Sequence, residues 1–199
     1  QGLNTGGMGA VASRSLIDSE LLKQIERDVI QPSVEGLIKD NLDFKGFLYA
    51  GLMLTNDGPK VLEYNCRFGD PEAQAVLPLI KGDFAAYLMS GAKGELIDSL
   101  IDFDEGWSIC LVLASAGYPN SSRNEDLING LDVIQDARVY HAGTKKNSEG
   151  NYVTNGGRVL AVVGRGDTRE SAVEHSYKEA EKINFDGNQR RSDIGRMHF

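Results

Sequence analysis

Three polar side chains stand at alternate positions near the middle of the chain: Glu63, Asn65 and Arg67. Side chains alternate between the two faces of a β-strand, so these three are predicted to share one face. Carboxylate and amide oxygens are the ligands that Mg²⁺ prefers, and a guanidinium can hold a phosphate or an acyl-phosphate oxygen. The spacing therefore predicts a phosphoryl-transfer site, where a metal ion bridges nucleotide phosphates and the protein supplies positioning and charge.

A surface Glu–Arg pair on an exposed strand would show the same alternation, because any half-buried strand alternates polar and apolar side chains. On this motif alone the two interpretations stay open. The intervening residues Tyr64, Cys66 and Phe68 are predicted to point the other way, into a core. Cys66 is then a packed thiol rather than a nucleophile.

A glycine-rich segment near the start is the second candidate site. It consists of Asn4, Thr5, Gly6, Gly7, Met8 and Gly9. Closely spaced glycines let backbone N–H groups approach a ligand and form an anion-binding nest. A flexible loop is the more common meaning of such a segment. It is neither a Walker loop nor a dinucleotide fingerprint, because no Lys-Ser/Thr follows and no strand precedes it.

The elements that must position these residues are a helix and a hairpin. Apolar residues recur at helical spacing from Asp18, where Asp18 or Ser19 can cap a helix, and Pro32 should kink or restart it. A strand over 47–55, the turn Asn56-Asp57-Gly58 and a return strand over 60–68 form a predicted hairpin. Pro71 and Glu72 suit the start of a helix.

The second half of the chain predicts further strands and one helix. The apolar run 77–88 is expected to be helical, with a break near Gly82, and a polar loop over 91–105 precedes a domain boundary. Beyond it, strands are predicted at Trp107–Ala114, Val139–Ala142, Tyr152–Thr154 and Arg158–Val163. Thr168 should cap a final helix that reaches Ile183.

Composition limits the partners. The net charge of −8 comes from 29 acids against 21 bases, which disfavours non-specific nucleic-acid binding. No apolar run approaches the roughly 20 residues of a membrane span. The two cysteines lie outside any Cys-x-x-Cys pair, so we expect reduced thiols in a cytoplasmic protein and no zinc site. The chain lacks an initiating Met and opens in a loop, so we expect a fragment.

Several segments resemble one family. The run 67–74, Arg-Phe-Gly-Asp-Pro-Glu-Ala-Gln, is similar to the signature of the phosphoribosylamine–glycine ligase family, in the ATP-grasp group, and 4–10 resembles a second family segment. Other resemblances follow in order at Leu48–Met53, Ala114–Pro119, His141–Thr144, Asn155–Leu160, Phe185–Gly187 and Asp193–Gly195. The likeness covers essentially the whole chain.

The resemblance implies a reaction and a set of site residues. ATP would phosphorylate glycine to glycyl phosphate, and 5-phosphoribosylamine would attack it to give glycinamide ribonucleotide, ADP and phosphate. Glu63 and Asn65 would bind the nucleotide's Mg²⁺ or Mn²⁺, and Arg67 and Asp70 would act in catalysis and substrate binding. The segment 4–9 would line the pocket for glycine or phosphoribosylamine.

Three departures from the family pattern matter. Val11-Ala12-Ser13 follows Ala10 where the family usually has Tyr-Ser-Pro, and Gly51 occupies the position where some ATP-grasp relatives carry a second acidic metal ligand. The resemblance also implies an N-terminal domain and the first half of the ATP-grasp unit. We therefore expect the chain alone to be inactive, with the missing half in cis or on another chain.

The expected fold class is α/β (α+β). Residues 1–104 would form the C-terminal half of an ATP-grasp domain, and residues 105–199 a small sheet-and-helix domain. Two alternatives stay open: another ATP-grasp carboxylate–amine ligase, or a non-catalytic module or domain of a larger purine enzyme. Of the histidines, His141 is expected to be structural, His175 solvated on the last helix, and His198 in the tail.

Overall fold

The computed structural model describes residues 3–196, and His198 lies outside that range. The helices are α1 (Ser19–Ile25), α2 (Gln31–Lys39), α3 (Glu72–Val76), α4 (Phe84–Lys93) and α5 (Arg169–Lys182). The strands are β1 (Gly9–Ala12), β2 (Tyr49–Thr55), β3 (Gly58–Asn65), β4 (Ile80–Gly82), β5 (Ile101–Phe103), β6 (Trp107–Ala114), β7 (Ala137–His141), β8 (Thr144–Lys146), β9 (Tyr152–Thr154) and β10 (Arg158–Gly166). None of these helices has the length and apolar character that crossing a bilayer requires.

The chain divides into two compact units. The sheet unit comprises Gln1–Ser13, Asp70–Leu79 and Glu105–Phe199, and the hairpin unit comprises Arg14–Gly69 and Ile80–Asp104. One boundary therefore coincides with the predicted division at 104/105. The sheet unit also includes two segments that the sequence placed in the first domain, and the assignment of 1–104 and 105–199 as domains stays a prediction.

The sheet unit is built on an antiparallel sheet in the order β1-β6-β10-β7. Alternation along β6 separates two cores, since Ile109, Leu111 and Leu113 pack toward α5, whereas Cys110 packs with Ala75 on the opposite face. Helix α5 begins at the predicted cap: the Thr168 hydroxyl accepts the Ser171 amide at 3.1 Å in a capping box. The predicted strands and the final helix of this unit are confirmed.

The hairpin unit contains α1, α2 and the β2–β3 hairpin. The Asp18 carboxylate accepts the Leu21 amide at 2.8 Å and caps α1, as predicted. A π-helical turn over Glu26–Ile30 separates α1 from α2, in whose first turn Pro32 stands, so the predicted restart at that proline is confirmed. The Asp-Gly turn joins β2 to β3 as the sequence indicated.

Two predicted elements of the hairpin unit are wrong. Residues 80–82 form β4, which pairs with β5 in the segment expected to be loop. The predicted break near Gly82 and the helix after it, α4, are confirmed, but the part before the break is a 3₁₀ turn and a strand rather than a helix. Gly82 has φ +94°, and a Cβ there would lie 2.3 Å from the Leu100 carbonyl oxygen. The glycine permits this close strand contact, and its partner is distant in sequence.

Three predictions about side-chain burial are also wrong. Tyr64 is 45% exposed and Cys66 is exposed, so neither side chain is buried in a core. The Tyr64 hydroxyl instead lies 2.7 Å from the Ser33 hydroxyl. His175 is half-buried rather than solvated, with its Nδ1 2.7 Å from the Arg165 carbonyl oxygen.

Candidate functional site

The hairpin unit brings two of the predicted metal ligands together. The Asn65 side-chain amide donates to Glu63 Oε1 at 3.1 Å, so the two residues share one face of β3 at its C-terminal end. Glu63 pairs with Gly51 across the hairpin, and Asn65 pairs with Tyr49. A register shift follows at once, with Leu52 opposite Val61, and such a bulge re-aims the side chains beside it.

Gly51 lies directly opposite Glu63, at the position where some relatives were expected to have a second acid. A Cβ at Gly51 would lie 3.2 Å from Glu63 Cγ, which is tighter than an ordinary contact. The absence of a side chain at Gly51 therefore leaves room for the Glu63 side chain to lie across the partner strand. The oxygen donors on this face come from β3.

Arg67 lies beyond the end of this strand. Strand β3 ends at Asn65, and the Arg67 guanidinium donates to the Phe68 carbonyl oxygen at 2.7 Å. The alternation rule applies only while the strand continues, so it covers Glu63 and Asn65, and the place of Arg67 in the predicted row stays a prediction. Phe68 packs on Phe47, with ring centroids 3.8 Å apart, and this contact accompanies the bend.

The chemistry of the donor pair fits a magnesium ion that keeps most of its own water. Glu63 is exposed and supplies a carboxylate, and Asn65 supplies an amide oxygen. Mg²⁺ is commonly bound through one or two carboxylates plus substrate phosphates rather than in an all-protein cage. Residues 3–196 contain no group of three or more His, Cys, Asp or Glu side chains arranged for a metal.

The sheet unit contains Asp70, whose carboxylate is engaged on both oxygens. Arg158 Nη2 donates to Asp70 Oδ2 at 2.9 Å, and the Gln74 side chain donates to Oδ1 at 3.0 Å. Arg158 Nη1 also donates to the Asp70 main-chain oxygen at 2.9 Å. The carboxylate is half exposed, whereas the Arg158 side chain is 24% exposed. Asp70 is thus oriented by its neighbours within this unit.

The glycine-rich segment is held by the same arginine and by a tyrosine. The Gly6 amide donates to Tyr118 Oη at 3.1 Å, and Arg158 Nη1 donates to the Gly7 carbonyl oxygen at 3.0 Å. A Cβ at Gly7 would lie 2.4 Å from Pro71 Cδ, so close packing requires this glycine. The Gly6 amide is therefore not offered to an anion in this conformation, contrary to the nest interpretation.

The rest of the segment leads into the sheet. The Met8 carbonyl oxygen accepts the Val112 amide at 3.1 Å, and β1 starts at Gly9. A Cβ at Gly9 would lie 2.7 Å from Ile194 Cγ1 and 2.8 Å from the Cys110 carbonyl oxygen. Asn4 and Thr5 precede these contacts and are exposed.

Sequence reasoning missed Arg158 and Tyr118 as site residues. Both lie in quoted family segments, but neither motif singles out a function for them. Arg158 is a charge that precedes the apolar run 159–163 and follows Gly156-Gly157, and this was the signal that could have identified it. Its partners lie 88 and 151 positions away, so no local pattern links them.

Cys110 is buried near Asp70 and Arg158, and its thiol is unreactive. Burial raises the pKa of its thiol to about 12, and the negative charges of Asp70 and Glu72 add to the effect. The thiol therefore stays protonated near neutral pH, and a protonated thiol is a poor nucleophile. This confirms the prediction that Cys110 is a packed core residue.

Comparisons with known proteins place the chain in one family. The family model for the phosphoribosylglycinamide synthetase ATP-grasp (A) domain matches residues 1–73, and that for the phosphoribosylglycinamide synthetase C domain matches residues 108–197. The phosphoribosylamine–glycine ligase of Caldanaerobacter subterraneus subsp. tengcongensis is 45% identical over 194 residues, which are 98% of this chain and 46% of that protein. The corresponding ligase of Synechocystis sp. is 45% identical over 199 residues, covering 98% and 47%.

A solved structure gives the same result. The crystal structure of a phosphoribosylamine–glycine ligase from Thermotoga maritima superposes with a TM-score of 0.85 at 35% identity, covering 97% of this chain and 47% of that one. The chain thus spans about half the length of the relatives it matches. The expected mixed helix-and-strand fold with part of an ATP-grasp domain is confirmed. Because two domain models of one family together match most of its residues, the chain belongs to the phosphoribosylglycinamide synthetase family.

Proposed function

We propose that this chain is part of an enzyme that uses ATP to join glycine to 5-phosphoribosylamine. The γ-phosphoryl group passes to the glycine carboxylate, which gives glycyl phosphate and ADP. The amine of phosphoribosylamine then attacks the acyl carbon, phosphate leaves, and the nitrogen loses a proton to give glycinamide ribonucleotide. The chain's relatives support this proposal through their name, phosphoribosylamine–glycine ligase.

The pairing of Glu63 with Asn65 is the observation that carries the proposal in the structure. These side chains would bind Mg²⁺ or Mn²⁺ through the Glu63 carboxylate and the Asn65 amide oxygen. The two side chains are neighbours, since the Asn65 amide nitrogen donates to Glu63 Oε1 at 3.1 Å. The bound ion would neutralise charge on the nucleotide phosphates. The hydrogen bond from Asn65 orients the Glu63 carboxylate before the ion binds, and such fixed geometry lowers the cost of forming the site.

Arg67, Asp70 and the segment 4–9 have substrate roles in this proposal. Arg67 would exchange its bond to the Phe68 carbonyl oxygen for a phosphate oxygen, which is a stronger, charge-assisted acceptor. Asp70 would contact substrate through the exposed part of its carboxylate while Arg158 and Gln74 hold it. Asn4 and Thr5 offer exposed polar side chains to glycine or phosphoribosylamine.

The remaining half of the relatives' length is the partner that we propose for the hairpin unit. Many large apolar side chains of this unit are exposed, among them Ile38 at 70% and Leu62 at 63%. A cleft of about 500 Å³ between α2 and the hairpin is lined in part by Val29, Leu37 and Val61. Exposed apolar surface of this extent is typical of an interface.

We propose a cytoplasmic location, since Cys66 and Cys110 are both free thiols.

Substrate omission tests the proposal. ADP release is measured on the complete protein with ATP, Mg²⁺, glycine and phosphoribosylamine, and then with each omitted in turn. We expect ADP release to require both glycine and the amine and to yield glycinamide ribonucleotide. Release that is equally fast with another carboxylate or another amine would assign the chain to a different ligase. A complete protein that binds ATP without any turnover would identify a non-catalytic module.

A further inference from the structure

Two side chains from distant parts of the sheet unit hold the glycine-rich segment at neighbouring residues. Tyr118 Oη accepts the Gly6 amide at 3.1 Å, and Arg158 Nη1 donates to the Gly7 carbonyl oxygen at 3.0 Å. Consecutive glycines have more conformational freedom than any other dipeptide, so they lose more entropy when they are ordered. The two contacts restrict a backbone that would otherwise sample many conformations.

Arg158 connects this segment to Asp70. Its Nη1 also donates to the Asp70 main-chain oxygen, and its Nη2 donates to the Asp70 carboxylate, both at 2.9 Å. A planar guanidinium can direct separate N–H groups at three acceptors, whereas a lysine ammonium acts as a point charge on a flexible stem. One partly buried side chain therefore sets the relative position of Gly7 and Asp70.

Gly157 brings the tyrosine and the arginine into place. A Cβ at Gly157 would lie 2.4 Å from Tyr118 Cδ2, so the tyrosine ring packs directly on the main chain beside Arg158. The pairing of β10 with β6 is irregular between Arg158 and Leu160, which is typical of a bulge that re-aims a side chain. The start of β10 therefore directs the Arg158 side chain and also provides the main-chain surface on which the Tyr118 ring packs.

We propose that Arg158 and Tyr118 are positioning residues for the amino-acid and amine substrates. They fix Gly6, Gly7 and Asp70, the groups that the proposed function, on which this inference rests, assigns to substrate binding. The Asp70 carboxylate is then held in an ion pair with Arg158, so it does not act as a free general base. The proposed function assigns the nucleotide to the Glu63–Asn65 pair of the hairpin unit, so binding of the nucleotide is not expected to depend on Arg158 or Tyr118.

Steady-state kinetics of the complete protein tests the proposal with two variants and a matched control. We expect Arg158→Lys to lower kcat/KM for glycine and phosphoribosylamine by about 10-fold or more, because small misplacements of positioned groups cost rate steeply. Tyr118→Phe should lower it by about 3-fold to 10-fold, the loss of one hydrogen bond. The KM for ATP should stay within about twofold, since both residues hold groups that the proposed function assigns to glycine and the amine rather than to the nucleotide.

Arg123→Gln is the matched control. Arg123 lies in the same unit and also pairs with two carboxylates, Asp126 and Asp186, but it contacts neither the glycine-rich segment nor Asp70. Its substitution should leave all three KM values and kcat within about twofold of wild type. An equal loss in Arg123→Gln and Arg158→Lys would mean that the loss reflects general stability, and the positioning role would be overturned.

Hydrogen exchange separates this inference from the proposed function. Amide exchange of the peptide that contains Gly6 should be about 3-fold to 10-fold faster in Tyr118→Phe, which loses the acceptor of that amide but keeps the ring on Gly157. Exchange in Arg123→Gln should match wild type. If wild type shows no glycine-dependent ADP release, the proposed function fails, and exchange still reports the contact. Unchanged exchange together with unchanged kinetics in Tyr118→Phe would overturn the inference, even if Arg158→Lys failed to fold.

Discussion

Replacement of Glu63 by Gln gives the sharpest separation between the proposed chemistry and stability. The change removes one negative charge and keeps the shape of the side chain. Glu63 is exposed, and its hydrogen bond with Asn65 is to a neutral amide. The free energy of unfolding should therefore change by no more than about 0.5 kcal/mol. Loss of an anionic ligand to the ion that carries the nucleotide should weaken transition-state binding by about 3 kcal/mol, which is roughly 10²-fold in kcat/KM.

Glu149→Gln is a matched control for this change. Asn151 donates to Glu149 Oε2 at 3.2 Å, so this exposed pair repeats the spacing and the side-chain hydrogen bond of the Glu63–Asn65 pair in a turn rather than on a strand. Glu149 lies in the sheet unit, outside the proposed metal site. ADP release with saturating glycine and amine is measured for both variants over a range of Mg²⁺ concentrations. Activity of Glu63→Gln within about threefold of wild type, or an equal loss in Glu149→Gln, would refute the metal assignment.

Three further predictions follow from packing and burial. Gly7→Ala should lower the unfolding free energy by about 1–3 kcal/mol, because the added Cβ would lie 2.4 Å from Pro71 Cδ. Gly36→Ala in α2 should raise it by about 0.5–1 kcal/mol, because no atom lies within 4 Å of the added Cβ and alanine favours a helix over glycine. Denaturant unfolding measures both changes in unfolding free energy. A Gly7→Ala protein as stable as wild type would contradict the close packing of Gly7 on Pro71. Leu113→Ala should cost about 2–5 kcal/mol in the same assay, since Leu113 is fully buried under α5, whereas a loss below about 1 kcal/mol would show a loosely packed core. A thiol reagent at pH 8 should label Cys66 in the native protein and Cys110 only after unfolding, because burial raises the pKa of Cys110 to about 12. Mass spectrometry identifies the labelled residue, and labelling of Cys110 in the native protein would contradict its burial.

The sequence predicted the elements whose signals are local. Asp18 and Thr168 begin helices because their side chains accept nearby backbone amides, and the Asp-Gly turn joins two apolar runs whose alternation sets the hairpin. The contact between Glu63 and Asn65 was predictable for the same reason, since they are two residues apart on one strand.

Contacts between distant residues were not predictable in this way. Strand β4 has only three residues, and its hydrogen bonds go to β5 beyond a whole helix, so an apolar run was mistaken for a helix. The predicted return strand extended too far, to residue 68, because nothing local marked the end of β3 at Asn65. Arg158 and Tyr118 meet the glycine-rich segment more than 100 positions away, and only the folded sheet brings them there.

The position of the metal ion tests the central claim most directly. Crystals of the complete protein grown with Mn²⁺ and a non-hydrolysable ATP analogue would locate the ion by its anomalous scattering. The account predicts an ion within about 2.0–2.4 Å of a Glu63 carboxylate oxygen and the Asn65 amide oxygen, with nucleotide phosphates completing its coordination. An ion bound to the nucleotide but contacting neither side chain would contradict it.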